Sequence, residues 1–229
     1  MRWRGNAANR AAHDAGHYPQ KPHATLTPPP WGRRSGFHTR KVIWTLQELD
    51  LPFDLIEAGH GIVPTAEFTA RNPNTLAPVI DEGGIIVWES NVIVRYLCAR
   101  YSAGRLFPDA DLQARFRAKQ WMDWNATTLW PALRPICHDA TRGGSLPAAD
   151  RESRIGEIGR WLNVMEQQLG VTAYLAGDAF TMADIPAALS IDRWFALGPD
   201  DGTRPRLRRW WSNVIARPAF PKPAFPKMD

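Results

Sequence analysis

The sequence predicts two domains, a mixed α/β domain followed by an all-helical one. Three observations carry this. Strand and helix signals alternate as (β)αβαββα over about 80 residues of the first half. After Pro108 the strand signals stop, and residues 111–133, 150–169, 182–196 and 204–216 all carry helical patterns. A length of 229 residues fits one large domain or two small ones. The change of pattern falls across the loop 102–111. The expected organisation is a disordered basic tail over residues 1–22, a first domain over 23–104, a helical domain over 111–220 and a Pro-rich tail over 221–229.

Each element has its own signal. Residues 23–27 offer a first strand, but Pro28, Pro29 and Pro30 follow, so any strand there is short, irregular or at an edge. Residues 37–49 form a helix, because Val42, Ile43, Leu46 and Leu49 share a face, and Leu51-Pro52 ends it. Residues 53–56 form a short strand and 67–71 a brief helix. Residues 77–80 and 85–88 form a hairpin around Gly83-Gly84. Residues 89–101 form a helix with Val92, Ile93, Tyr96 and Leu97 on its apolar side. A mixed sheet carrying helices is the natural packing of this order.

Composition narrows the class. Hydrophobic residues make up 44% and charged residues 22%, the balance of a soluble globular chain. The net charge is +5, but the first 22 residues set four cations against Asp14 alone, so the remainder carries little excess and makes no case for nucleic acid. Arg206, Arg208 and Arg209 read as a solvated helix face. No apolar stretch is long enough to span a membrane. The basic start has no apolar core of a secretory signal; it reads as a disordered tail or as the product of a start codon placed too far upstream, with an organellar transit peptide as the weaker reading. Cys98 and Cys137 form neither a CxxC nor a zinc pattern, which points to a reducing cytoplasm and no metal. Of the eleven tryptophans, Trp121, Trp124, Trp130, Trp161, Trp194, Trp210 and Trp211 fall in the second half as packing between helices.

Three segments carry more specific information. In 72–80, Asn-Pro-Asn-Thr-Leu-Ala-Pro-Val-Ile, Pro78 stands at the mouth of a strand. In Trp88-Glu89-Ser90-Asn91, a helix opens directly after a strand; Ser90 is suited to cap it, and its hydroxyl and the free N–H groups suit a carboxylate. In 177–185, Thr181 and Asp184 have the spacing of a capping box, a structural device. In this order and spacing the segments resemble the glutathione transferases, specifically serine-type, theta-like bacterial members with the Trp-Gly-Arg start seen at Trp31–Arg33. The resemblance covers about 190 residues. It implies a thioredoxin-like N-terminal domain, an all-α C-terminal helical bundle and a homodimer. It also implies a cis bond before Pro78, which would turn the Ala77 backbone towards the cysteinyl unit of glutathione. Glutathione would then lie along Leu76, Ala77, Pro78, Glu89 and Ser90, with Glu89 receiving the ammonium group and Ser90 the carboxylate of the γ-glutamyl end.

The chain departs from that family where the chemistry sits. Serine-type members place a hydroxyl six residues before the position of Val42, where this chain has Gly36, and an asparagine where it has His38. A free thiol is mostly protonated at neutral pH, so some donor must favour the thiolate. The candidates are Ser35, His38, and the backbone N–H groups of Gly36 and Phe37. A second substrate would lie between this loop and the helix opening near Asp111, with Trp121, Trp124 and Thr128 as wall residues by their spacing; core packing reads the same spacing equally well. The expected activity is conjugation of the glutathione thiolate to a small apolar electrophile, a detoxification chemistry. The alternative is a module of this fold that binds or assembles without turnover. A thioredoxin-type redox protein conflicts with the cysteine positions.

Overall fold

In the computed structural model the described residues are 30–58, 65–141, 143–197 and 202–222. The expected tail 1–22, the expected strand at 23–27 and the end of the chain from 223 lie outside them. The first half builds β1 (Trp31–Gly32), α1 (Phe37–Glu48), β2 (Ile56–Glu57), α2 (Ala66–Arg71), β3 (Val79–Glu82), β4 (Ile85–Trp88) and α3 (Ser90–Tyr101). The second half is helical: α4 (Leu112–Trp124), a π-helical turn (Asn125–Leu129), α5 (Trp130–Thr141), α6 (Ala148–Gln168), α7 (Asp184–Leu197) and α8 (Pro205–Ile215).

The sheet order is β2-β1-β3-β4. β1 runs parallel to β2 (Trp31↔Ile56) and antiparallel to β3 (Trp31↔Val79). β3 and β4 form the hairpin, from Val79↔Trp88 to Glu82↔Ile85. Both central turn residues have positive φ, Gly83 at 61° and Gly84 at 94°, the conformation that a two-residue type I′ hairpin requires and glycine adopts without penalty. One strand expectation is corrected, that at 53–56. The first paired strand among the described residues follows the prolines, because Trp31 and Gly32 keep the amide donors that Pro28–Pro30 lack; it lies inside the sheet, between β2 and β3. The strand expected at 53–56 pairs only from Ile56, since its partner is two residues long.

Alternation along β3 gives the sheet two covered faces. Val79 packs with Phe68 of α2, Ala58 and Trp31. Ile80 joins the main core, which includes Val42 and Leu46 of α1, Ile93 and Leu97 of α3, and the helical domain. Helix α1 touches α3 on one side and α7 on the other, so it is the seam between the domains. That position buries almost all of it, including Arg40, Lys41, Thr45 and Glu48. Glu48 is held by Trp44 Nε1 at 3.1 Å and by Arg217 through two bonds of 2.6 Å. Arg105, in the segment between the domains, bonds the carbonyl of the same residue.

In the helical domain, buried Asp184 accepts from Thr181 N (2.9 Å), Leu175 N (3.2 Å) and Trp210 Nε1 (3.0 Å). Thr181 Oγ1 accepts from Ala183 N at 3.3 Å. The pair thus ties the turn before α7 to the α6–α7 connection and to α8.

Candidate functional site

The N-termini of α1 and α3 meet the start of β3 at one end of the sheet. Ahead of α1, Gly36 N donates to Arg33 O at 2.7 Å, and Gly36 O accepts from Arg40 N at 2.9 Å. Gly36 is the N-cap residue, with φ −69° and ψ 132° and no side chain to cap the helix. Ser35 is exposed, and its Oγ accepts from Arg33 Nε at 2.9 Å, which leaves the hydroxyl proton free to be donated. Both carboxylate oxygens of Glu57 accept from Arg34 N at 3.4 Å, holding the loop to the end of β2.

At the second corner the Ala77–Pro78 peptide bond is cis. Ala77 precedes the β3–β4 ladder, whose register begins at Val79. Leu76 is exposed, Ala77 half-buried and Pro78 buried. Buried Asn72 shapes the approach: its Nδ2 donates to Leu76 O at 2.7 Å and its Oδ1 accepts from Asn74 N at 3.0 Å.

At the third corner Glu89 is the N-cap of α3, exposed and at φ 68°, a conformation that costs a non-glycine residue roughly 1–3 kcal/mol and is found preferentially at functional sites. Ser90 is the first helical residue, so the cap expected of it is not made. Its buried hydroxyl turns instead to α1, 3.2 Å from His38 Nδ1 and 3.5 Å from Lys41 Nζ. Lys41 Nζ also donates to Asn91 Oδ1 at 3.0 Å, and Asn91 Nδ2 donates to Met122 O at 3.3 Å.

The electrostatics favour an anion. Full burial pushes the Lys41 ammonium down to about 7, with Glu89 opposing the shift and Arg193 and Arg95 adding to it. His38 is exposed as a residue but its Nδ1 lies against Ser90; burial, with Lys41, Arg193 and Arg134, holds the imidazole well below its ordinary value and therefore neutral. The N-terminal N–H groups of α3 add the positive end of a helix dipole. Arg193 of α7 lies over the Phe37 ring (4.8 Å) and the Trp130 ring (5.4 Å). Those two rings stack at 3.7 Å and 6°.

Two family models match the chain: the glutathione S-transferase N-terminal domain over residues 32–105 and the C-terminal domain over residues 126–218. The chain belongs to the glutathione S-transferase family. Glutathione S-transferase GstB of Escherichia coli strain K12 is 37% identical over 201 residues, 84% of this chain and 95% of that protein. Glutathione S-transferase 3 of Zea mays is 30% identical, over 80% of this chain and 86% of that protein. Among solved structures, the theta class glutathione S-transferase of Xanthomonas axonopodis pv. citri with glutathione bound is 30% identical, with a TM-score of 0.79 over 86% of this chain and 96% of that one.

In this glutathione S-transferase the residues named from sequence fall into three groups. Ser90 and His38 are in direct contact, and Ser35, Gly36, Leu76, Ala77, Pro78 and Glu89 lie on the segments that converge with them. Thr181 and Asp184 form a structural box in the helical domain. Trp121, Trp124 and Thr128 do not form one wall. The π-helical turn at Asn125–Leu129 widens the helix and rotates Thr128 off the face of the two tryptophans. Trp121 and Trp124 pack edge to face, 5.1 Å apart, while Thr128 lines a groove of about 470 Å³ with Arg154, Glu157 and Trp161 of α6. The same turn presents Trp130 to Phe37 and His38. Sequence reasoning passed over Lys41, Asn72, Asn91, Trp130 and Arg193. The paired asparagines around Pro73 were a usable turn signal for Asn72; a lysine inside an amphipathic helix carries no such signal.

Proposed function

We propose that this glutathione transferase binds glutathione along Leu76, Ala77, Pro78, Glu89 and Ser90 and conjugates its thiolate to a small apolar electrophile. The observation that carries the reading is the buried Ser90 hydroxyl at the N-terminus of α3, beside Lys41 and opposite the loop 33–38. A carboxylate suits that corner, because among the described residues the first N–H groups of α3 have no side-chain cap and no carboxylate forms an ion pair with Lys41. The exposed Glu89 carboxylate is suited to the ligand's ammonium group. A thiol placed by these contacts lies towards the N-terminus of α1, where Ser35 keeps a free hydroxyl proton and Gly36 and Phe37 supply N–H groups. Donation to sulfur and the helix dipole both favour thiolate over thiol, and the thiolate then attacks the electrophile held against it. Trp130 and Phe37, in contact with His38, supply the apolar wall facing that point.

The partner is a second copy of the chain. Ile85, Ile86 and Trp88 of β4 and Val92 of α3 are large apolar side chains left exposed around the free edge of the sheet, with Phe116 of α4 exposed as well. Light scattering at micromolar concentration is expected to give a mass near 52 kDa, roughly twice the 25.8 kDa of the chain. The compartment is the cytoplasm: Cys98 and Cys137 are free, buried thiols in different domains, and burial pushes both thiols up, away from reactive thiolate. Among the described residues no helix is long and apolar enough to cross a membrane and no cluster suited to a metal ion occurs.

The test is a conjugation assay with glutathione and a chloronitrobenzene, on wild type and Ser35→Ala. Turnover that falls about tenfold or more in the variant assigns the sulfur donor to Ser35, since a hydrogen bond to a charged group contributes roughly 1.5–3 kcal/mol. Unchanged turnover moves the donor to His38 or the backbone. Glutathione binding with no turnover in wild type would favour the binding or assembly module, the reading that the absent hydroxyl at Gly36 supports.

A further inference from the structure

Lys41 lies outside every contact assigned to glutathione above, yet it is the most deeply buried cation at this end of the molecule, with 2% of its surface exposed. It is within reach of Ser90 Oγ at 3.5 Å and donates to Asn91 Oδ1 at 3.0 Å, the first two residues of α3. The same Ser90 oxygen lies 3.2 Å from His38 Nδ1. A serine hydroxyl accepts through two lone pairs and donates one proton. An ammonium group only donates. A neutral imidazole either donates from Nδ1 or accepts there, according to its tautomer.

We propose that Lys41, with His38, is a positioning residue of the glutathione site: Lys41 Nζ and His38 Nδ1–H fill the two lone pairs of Ser90 Oγ, so that the hydroxyl proton is the one delivered to the γ-glutamyl carboxylate, and Lys41 takes up a proton from solvent as that anion arrives. This rests on the reading that Ser90 receives the carboxylate. The tautomer follows from the ligand. If His38 accepted at Nδ1, the serine proton would be spent on the imidazole and the carboxylate would meet a bare oxygen. The proton uptake follows from the surroundings. Around Lys41 stand Glu89, Arg95, Ser90 and Asn91 from α3, Phe37 from its own helix and Arg193 from α7, while Arg134 of α5 acts on the neighbouring His38. Asp192 of α7 is engaged by Arg40, and Asp123 of α4 by Arg95. The balance is positive, and burial with that positive surrounding holds the ammonium down to about 7, so that part of the amine is neutral at neutral pH. A carboxylate at Ser90 adds the missing negative charge and favours the ammonium form. Because binding and protonation are linked, each favours the other.

S-methylglutathione separates this step from thiol ionisation, since its sulfur carries no proton. Its binding is measured by calorimetry at pH 7 in phosphate and in Tris, whose ionisation enthalpies differ, on wild type, Lys41→Met, Lys41→Arg and Ser90→Ala. Wild type is expected to take up a fraction of a proton per ligand, seen as a difference in binding enthalpy between the two buffers. Lys41→Met is expected to bind about tenfold or more weakly with no uptake, and Lys41→Arg to keep binding with no uptake, because a guanidinium is already charged. His38→Asn, which keeps an N–H donor, is expected to bind like wild type, and His38→Leu to bind more weakly. Wild-type binding that is identical in the two buffers would overturn the proposal without any variant needing to fold. Uptake that persists in folded Lys41→Met would overturn it as well. Failure of the underlying reading looks different: Ser90→Ala would bind as tightly as wild type, or wild type would not bind at all, and the proposal would fall with it.

Discussion

Gly36 is the residue on which the proposed chemistry turns. Its backbone, at φ −69° and ψ 132°, is ordinary for any residue. A Cβ there would lie 3.0 Å from Arg33 O and 3.4 Å from Thr39 Oγ1, a contact relieved by a shift of a few tenths of an ångström. Gly36→Ser is therefore expected to fold, to change stability by only a few tenths of a kcal/mol through the added N-cap, and to raise kcat about tenfold through a hydroxyl aimed at sulfur from the helix end. Thermal unfolding and the conjugation assay check the two halves. Loss of folding would show that the Arg33–Gly36 turn has no room for a side chain. The missing hydroxyl was legible in the sequence by counting from Val42. The contact partners of Ser90 were not: a serine opening a helix reads as a cap, and only the packing of α1 against α3 turns its oxygen to His38 and Lys41.

At the scale of elements, α1 decides how the two domains meet. Its apolar face, Val42, Ile43, Leu46 and Leu49, is buried as its periodicity requires. Its polar residues Arg40, Lys41, Thr45 and Glu48 are buried too, because α3 packs on one side and the helical domain on the other, and periodicity in one helix cannot report what other elements will cover. Glu48 closes that seam with Arg217, Trp44 and Arg105. Glu48→Ala strips the partners from these groups and is expected to cost about 3 kcal/mol in urea unfolding. Asp184→Ala leaves three buried donors unpaired and is expected to cost at least about 3 kcal/mol, whereas Thr181→Ala removes the cap bond from Ala183 N and a long donation to Asp184 and costs about 1 kcal/mol. Equal losses in the last two would contradict the assignment of the box to Asp184. The short strand at Trp31–Gly32 and the π-helical turn at Asn125–Leu129 were illegible for related reasons. Two residues have no period, and one extra residue in a turn leaves composition unchanged while rotating everything after it; that rotation separated Thr128 from Trp121 and Trp124.

For the whole molecule, the interdomain seam makes stability depend on pH. Burial raises the Asp192 carboxyl to about 6, against the pull of Arg40 at 3.8 Å and of Arg193. A folded value above the unfolded one means that the contribution is fully present below about pH 4 and is lost as pH rises through 6. The thermal midpoint of wild type is expected to fall relative to Asp192→Asn across that interval; a constant difference would show that folding does not raise this carboxyl's titration. The order of the domains and most of the helices were legible from pattern alone, since alternation and its cessation after Pro108 are properties of long segments. The site was legible only where a segment carries its own geometry, as around Pro78 and Ser90, and not where two distant helices make it together.

The central claim is that the N-terminus of α3 holds the γ-glutamyl end of glutathione through Ser90. Calorimetric titration of wild type and Ser90→Ala with glutathione tests it most directly. Binding in wild type that weakens about tenfold or more in folded Ser90→Ala is the expected result. Equal affinity of the two proteins would contradict the account, because the buried hydroxyl would then have no part in holding the ligand.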